Sequence, residues 1–275
     1  MLQLNKHSFD LKRPLVMGIL NITPDSFSDG GMYLDFNAAL KRAEKMIEEG
    51  VDIIDIGGES TRPGSDAVSA DEELKRITPI IEAIKRISDI AISVDTYKPE
   101  VMKEVIDMDV AMINDIFALQ KPNAIDIIKK SNVGICIMHM QGTPKTMQLN
   151  PIYKNVVNEV KSFLEARVNL ITNEGIEKSR VILDPGFGFG KTFEHNIDLL
   201  QNIESFQSLN LPILVGLSRK SFIRKILSSD HDDHLSGSIS AAILSVIKGA
   251  KILRVHDVKE TQSALKIIHV AQSKT

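Results

Sequence analysis

Eight short apolar runs rich in β-branched residues recur along the chain, and each is followed by a longer stretch of helical period. The runs are Leu15–Leu20, Val51–Ile56, Ala91–Val94, Val110–Ile113, Val133–Met138, Val181–Leu183, Ile213–Val215 and Ile252–Val255. Between the first two, Phe36, Leu40, Ala43 and Ile47 fall on one helical face and Gly50 supplies a stop. Leu74, Ile77, Ile81 and Ile84 form the next stripe, opened by a capping-box pattern, Ser69-Ala70-Asp71-Glu72. Further helices are predicted at about 98–108, 121–131, 154–174, 193–203, 219–228 with 236–249, and 257–271. Strands that read as nearly continuous apolar runs belong to a parallel sheet covered by helices. Eight such units predict an α/β fold, a single (β/α)8 TIM barrel. The alternative, a doubly wound sheet, usually has fewer strands and a Gly-x-Gly-x-x-Gly turn after the first. Leu2–Leu11 reads as a short N-terminal β-hairpin across the barrel bottom.

The chain has 275 residues, a length a single barrel commonly reaches, and no linker or low-complexity segment divides it, so residues 1–275 read as one domain. A net charge of −3 argues against partners bound through bulk charge, nucleic acid or a membrane surface. The lone Cys136 sits in an apolar run and reads as a buried core thiol. Charges interrupt every long apolar stretch, and the N-terminus lacks the basic–apolar–small order of a signal peptide, so a soluble, cytoplasmic protein is expected.

Residues just beyond the strand ends of such a barrel share one face. Here they are polar in nearly every unit: Asn21; Glu59, Thr61 and Arg62; Asp95; Asn114 and Asp115; His139 after Met138; Asp184; Ser218, Arg219 and Lys220; Arg254, His256 and Asp257. Any one alone reads as a helix cap or a solvated charge, but all eight units ending this way point to a site. Asp95, Asn114, Asp184 and Lys220 suit a flat heterocycle rich in N–H donors, such as a pterin or guanine edge, because an ionised carboxylate only accepts. Arg254, His256, Arg62 and the helix start after Ser218 suit an anion. Asn21 adds an oxygen ligand for Mg2+ held mainly by a diphosphate, since that ion keeps waters and takes few protein ligands. The run Asp230-His231-Asp232-Asp233-His234 reads as a solvated loop. The stretches 21–33 and 57–69 are longer than a βα connection needs and read as lids.

The segment DPGFGFGKT at 184–192 narrowly misses two phosphate-loop patterns. Only three residues separate Gly186 from Gly190, where a Walker A loop has four, and Lys191 stands where a dinucleotide fingerprint has its last glycine. It reads instead as a heterocycle-binding turn headed by Asp184.

NITPDSFSDGG, GGESTRPG, SVDTYKPEV, INDI, MHMQGTP, ILDPGFGFGKT, GLSRKSFI and RVHDV, in that order, resemble the successive motifs of the dihydropteroate synthase family, over nearly the whole chain from about residue 14. The resemblance implies a transferase of folate biosynthesis. It would condense 6-hydroxymethyl-7,8-dihydropterin diphosphate with 4-aminobenzoate, giving 7,8-dihydropteroate and diphosphate by dissociative substitution. Asp95, Asn114, Met138, Asp184, Phe189, Gly216 and Lys220 would form the pterin pocket. Asn21, Arg62, Arg254 and His256 would hold the diphosphate, with Mg2+ on Asn21. Phe27, Ser28, Thr61, Pro63 and Ser221 would receive the aminobenzoate, the position a sulfonamide drug would take. Asp95, Lys220, Asp29 and Arg62 would serve the reacting centre, and a homodimer is expected. Two rivals, a pterin-binding methyltransferase domain and a non-catalytic paralogue, have no use for NITPDSFSDGG, Arg62 and the anion-site residues.

Overall fold

The computed structural model describes residues 1–22, 32–227 and 234–272. An N-terminal pair, β1 (Leu2–Leu4) and β2 (His7–Phe9), precedes the units β3 (Leu15–Asn21)–α1 (Met32–Glu48), β4 (Ile53–Gly57)–α2 (Ala70–Ile87) and β5 (Ala91–Asp95)–α3 (Pro99–Asp107). Then follow β6 (Met112–Asp115)–α4 (Ala124–Lys129), β7 (Gly134–Met138)–α5 (Val156–Asn173) and β8 (Val181–Asp184)–α6 (Phe193–Gln201). The last two units are β9 (Leu214–Val215) with α7 (Ser221–Leu227) and α8 (His234–Ile247), and β10 (Ile252–Val255) with α9 (Val258–Gln272). The eight strands after the hairpin pair in parallel in chain order, and β10 returns to β3 with Ile252 opposite Leu15. A parallel bridge between Leu183 and Ile213 joins β8 to β9 and closes the ring. Closure makes this the TIM barrel expected from the strand count and excludes the open sheet.

Helix α2 begins at the predicted cap, with the Ser69 hydroxyl accepting from the Glu72 N–H, but only half of the capping box forms, because the Glu72 carboxylate accepts from Arg76 instead; Ile77, Ile81 and Ile84 turn into the core. Two boundaries move for local reasons. Val51 is spent on the end of α1, donating to Met46 O at 3.0 Å. Asp52 accepts from Val16 N–H at 2.8 Å and from Arg13, so β4 starts at Ile53. Asn123 takes a left-handed conformation, φ 68°, so α4 is shorter than its apolar pattern.

Strand alternation divides the core in two. Outward residues such as Ile54, Ile56, Val94 and Ile113 pack beneath the helices. Inward residues Leu15, Met17, Ile53, Ala91, Met112, Cys136, Ile182, Leu214 and Ile252 fill the lower barrel, and the thiol is buried as expected. Leu2 and Leu4 of the hairpin complete that cluster from below. Gly134 makes room for the plug: a Cβ there would lie 2.1 Å from Leu4 Cδ2. Asn5 pins the turn, donating to Asp109 Oδ1 at 2.7 Å and to Val110 O at 3.1 Å. Since Leu4 is fully buried, Leu4→Ala is expected to destabilise the protein by about 2–4 kcal/mol in urea unfolding. Leu149→Ala, at a side chain 81% exposed, should shift stability by no more than about 0.5 kcal/mol. Equal effects would show that the hairpin does not seal the barrel.

Candidate active site

Above the apolar floor the inward positions become charged. Ile53, Asp55 and Gly57 alternate inward on β4; Asp95 ends β5, Asn114 lies on β6, Asp184 ends β8 and Arg254 lies on β10. The Arg254 guanidinium crosses the barrel, with Nε donating to Asp55 Oδ2 at 2.6 Å and Nη2 to Asp95 Oδ2 at 2.7 Å. Asn114 Nδ2 donates to the same Asp55 oxygen at 3.3 Å. Gly216 leaves space for the arginine stem, its nearest Cβ contact being Arg254 Cδ at 4.0 Å. Gly57 lies against both Asn21 and Asp95: a Cβ there would sit 3.5 Å from Asn21 Oδ1 and 3.6 Å from Asp95 Cβ. Asn21, Asp95, Asn114, Arg254 and Gly216 therefore share one mouth.

Asp184 lies opposite Met138 in the sheet register, and both are buried. Its Oδ1 accepts from Gly186 N–H at 2.7 Å, which leaves Oδ2 for a ligand. The turn beyond it runs backbone to backbone against the segment after β7. A Cβ on Gly186 would fall 1.9 Å from His139 O, and one on Gly190 would fall 2.4 Å from Gln141 O. Both positions also have positive φ, so glycine is required twice over. Lys191 ties the turn from beneath: its ammonium donates to Gly186 O at 2.8 Å and Phe189 O at 2.9 Å and lies 3.1 Å from His139 Nδ1. The turn delivers Phe189 beside Lys220, whose Nζ stands 4.3 Å from the ring centroid.

His256 lies beside Ser218, its Nδ1 3.0 Å from the Ser218 hydroxyl, which also accepts from the His256 N–H at 3.2 Å. A hydroxyl that donates to Nδ1 puts the ring proton on Nε2, available to an anion. Arg219 pairs with Asp257 through both ends of its fork, at 2.7 and 3.3 Å, and Ser221 is exposed at the start of α7.

The loop after β4 is tethered rather than loose. Gly64 N–H donates to Pro144 O at 3.0 Å, and Lys145 meets Asp66 at 2.7 Å. Glu59 turns away from the mouth, accepting from Lys98 at 2.5 Å and Val68 N–H at 2.9 Å. Thr61 is half-buried, while Arg62 and Pro63 stand exposed. Among the described residues no side-chain bond draws Arg62 to the mouth. Phe27, Ser28 and Asp29, and positions 230–233 of the His/Asp run, lie outside the described residues. Asp115 also departs from the mouth, its carboxylate accepting from Phe117 and Leu119 N–H, both at 2.7 Å.

Burial and mutual charge shift these groups. Burial pushes the Asp95 carboxyl up to about 7, opposed by Arg254 and reinforced by Asp55. Burial likewise raises Asp184, against the Gly186 N–H and the charges of Lys220, Lys191 and Arg254. Lys220 falls to about 8 through burial and Arg254, and Lys191 to about 7 through burial. Burial, then Arg219 and Arg254, hold His256 down at about 3. His256 therefore contributes a hydrogen bond rather than a charge. Three groups at or beneath the mouth, Asp55, Ser218 and the Lys191 knot, are more central than their sequence context implies. The available signal for Asp55 is a carboxylate at an inward position of an otherwise apolar run. Among the described residues no cluster of three or more His, Cys, Asp or Glu is arranged to hold a metal.

Residues 17–256 match the family described as pterin binding enzyme. The dihydropteroate synthase of Haemophilus influenzae is 51% identical over 263 residues, 96% of each chain. The structure of the Yersinia pestis dihydropteroate synthase with a sulfonamide drug complex superposes with a TM-score of 0.93 at 43% identity, covering 99% of each chain. The Xanthomonas albilineans dihydropteroate synthase in complex with 7,8-dihydropteroate gives a TM-score of 0.85 at 37% identity, covering 96% of this chain and 95% of that one. With this likeness running the length of the barrel, the chain belongs to the dihydropteroate synthases, among the pterin-binding enzymes.

Proposed function

We propose that the barrel mouth is where this dihydropteroate synthase condenses 6-hydroxymethyl-7,8-dihydropterin diphosphate with 4-aminobenzoate, releasing diphosphate and 7,8-dihydropteroate for folate biosynthesis. The observation that carries the assignment is the polar layer of Asp95, Asn114, Asp184, Lys220 and Arg254, set directly above an apolar floor. Asp184 accepts from the donor edge of the amino-pyrimidine, and Asn114 and Lys220 complete the in-plane contacts. Phe189 and Met138 flank the ring, and Gly216 gives it room.

The substitution is dissociative. As the C–O bond to diphosphate breaks, Arg254, His256 Nε2–H and Arg62 stabilise the departing negative charge. The cation left on the pterin methylene spreads into the ring, and the Asp95 carboxylate stabilises it. The amine nitrogen of 4-aminobenzoate, positioned by Thr61, Pro63, Ser221, Phe27 and Ser28, then forms the new C–N bond and loses its proton. Asp29 and Arg62 close over that step. No protein nucleophile takes part. Asn21, a half-buried carboxamide that shares the Gly57 surface with Asp95, fits a hard cation with oxygen ligands. Together with the substrate's diphosphate it would hold Mg2+, which supplies charge neutralisation on that group when bound. The site's inhibitors include sulfonamides, as the Yersinia pestis complex supports.

We read residues 1–275 as one domain, because one closed sheet and its helices take up the described chain. Homodimerisation is supported by exposed apolar side chains on the neighbouring helices α7, α8 and α9: Ile226, Leu235, Leu244, Ile247, Ile267 and Val270. A cytoplasmic location fits the biosynthetic role, and no described helix is long and apolar enough to cross a membrane.

The purified protein, given the dihydropterin diphosphate and Mg2+, should release diphosphate faster when 4-aminobenzoate is added and should yield dihydropteroate by chromatography. Pterin binding without turnover would make it a silent relative. Asp184→Asn turns an acceptor into a donor facing a donor, so affinity for the pterin diphosphate should fall tens of fold, about 2 kcal/mol, in titration calorimetry. Unchanged affinity in the folded variant would remove Asp184 from the pterin site. The reaction uses Asp95 ionised and Lys220 protonated. Activity should therefore fall as pH drops through about 7, where burial places Asp95, and again as pH rises through about 8, where Lys220 titrates. A plot of kcat/KM from roughly pH 5 to 10 should be a bell with its maximum between those values. A profile flat down to the ordinary carboxylate range would exclude Asp95 from that role.

A further inference from the structure

Asp55 has no place in the chemistry described so far, yet it is fully buried and lies at the centre of the charged layer. It sits between Ile54 and Ile56, which pack outward beneath the helices, so alternation sends its carboxylate into the barrel, one pleat below Gly57. Two strands reach it from different directions. Arg254 Nε donates to its Oδ2 at 2.6 Å, and Asn114 Nδ2 donates to the same oxygen at 3.3 Å. Its other oxygen, Oδ1, has no hydrogen-bond partner among the described residues. Neither does the hydroxyl of Ser93, the residue directly opposite it in the β4–β5 register.

Such a carboxylate is a poor device for stability. Taking an ion pair out of water costs more than its attraction usually returns, and apolar side chains of similar volume would fill the barrel at least as well. An incompletely satisfied buried acid calls for an explanation other than stability. Its geometric effect is specific. A guanidinium is planar, and a single hydrogen bond leaves it free to turn about that bond. Two bonds, from Nε to Asp55 and from Nη2 to Asp95, fix both its position and its plane. Nη1, which takes part in neither, then has one fixed direction. Asp95 alone could hold the charge of Arg254 but not set its plane.

We propose that Asp55 is a positioning residue of the condensation, acting through Arg254: it fixes the guanidinium plane so that the remaining N–H groups meet the departing diphosphate. This rests on the site assigned above, in which Arg254 serves the anion. Asp55 touches neither substrate, and its effect is confined to the half of the reaction in which negative charge departs. A substrate without that charge should not sense it.

The test uses the full-length enzyme and three variants, Asp55→Asn, Arg254→Met and the double variant, with folding checked by circular dichroism. Asp55→Asn keeps the volume and should lower kcat/KM for the pterin diphosphate by about 10–100-fold, as a small misplacement of a catalytic group does. The double variant should lie within about threefold of Arg254→Met, because removing the positioning residue costs nothing further once the group it positions is gone. Binding of 6-hydroxymethyl-7,8-dihydropterin lacking its diphosphate should stay within about threefold in Asp55→Asn, whereas general damage to the pocket would weaken both ligands alike. Losses that multiply in the double variant, full activity in Asp55→Asn, or equal loss of the diphosphate-free pterin would each overturn the proposal. Should Asp55→Asn fail to fold, Asp55→Glu, which keeps a charge beside Arg254 but moves the acceptor by one methylene, takes its place, with the same loss of kcat/KM and the same retention of the diphosphate-free pterin expected. Full activity in Arg254→Met would instead overturn the site assignment on which the proposal stands.

Discussion

A guanidinium held between two carboxylates organises the upper barrel. Arg254 reaches across from the last strand to Asp55 and Asp95 on β4 and β5, and each of the three ions is tolerable there only because the others are present. Its charge is felt all round the mouth: it lowers Lys220, lowers His256, and opposes the burial that raises Asp95 and Asp184. The apolar floor supplies the other condition. With Leu2 and Leu4 closing the bottom, water is kept from the charged layer on that side, and the low dielectric that makes burial costly also makes each placed charge effective.

A second buried basic side chain does comparable work for the loop headed by Asp184. Lys191 gathers carbonyl oxygens from Gly186 and Phe189 and sits against His139, so a glycine-rich segment that would otherwise be pliant is held at several points. That explains why a sequence so close to a phosphate loop is not one. The lysine that would face a phosphate is turned inward and spends its donors on the loop itself.

Much of this was legible in the chain. Eight β-branched runs separated by helical stripes are enough to specify a barrel, and a barrel fixes which residues share its mouth, so Asp95, Asn114, Asp184, Lys220, Arg254 and His256 could be placed together beforehand. Asp55 could not, because a single carboxylate inside an Ile-rich run is absorbed by the apolar pattern until the inward register of β4 is known. Glu59 and Asp115 show the converse. They follow strands as the mouth residues do, but alternation turns Asp115 outward to backbone N–H groups, and Glu59, past the end of β4, is drawn off by Lys98 and the Val68 N–H. Which partner a charged side chain finds depends on register and on neighbours distant in sequence, and neither is written in local periodicity.

The pairing of β10 with β3 has a consequence for how the molecule comes into being. Leu15 finds its partner only at Ile252, nearly the whole chain later. Until the final unit has been synthesised, β3 keeps one edge without a neighbour, and an unpaired edge rich in Val, Ile and Leu is a template for association with other chains. The hairpin that stoppers the barrel is likewise made first but can be sealed in last, since its apolar cluster includes Leu214 and Ile252. A chain truncated even shortly before its last strand would thus lose more than one unit: it would have no closed interior at all, and its earliest residues would have nothing to plug.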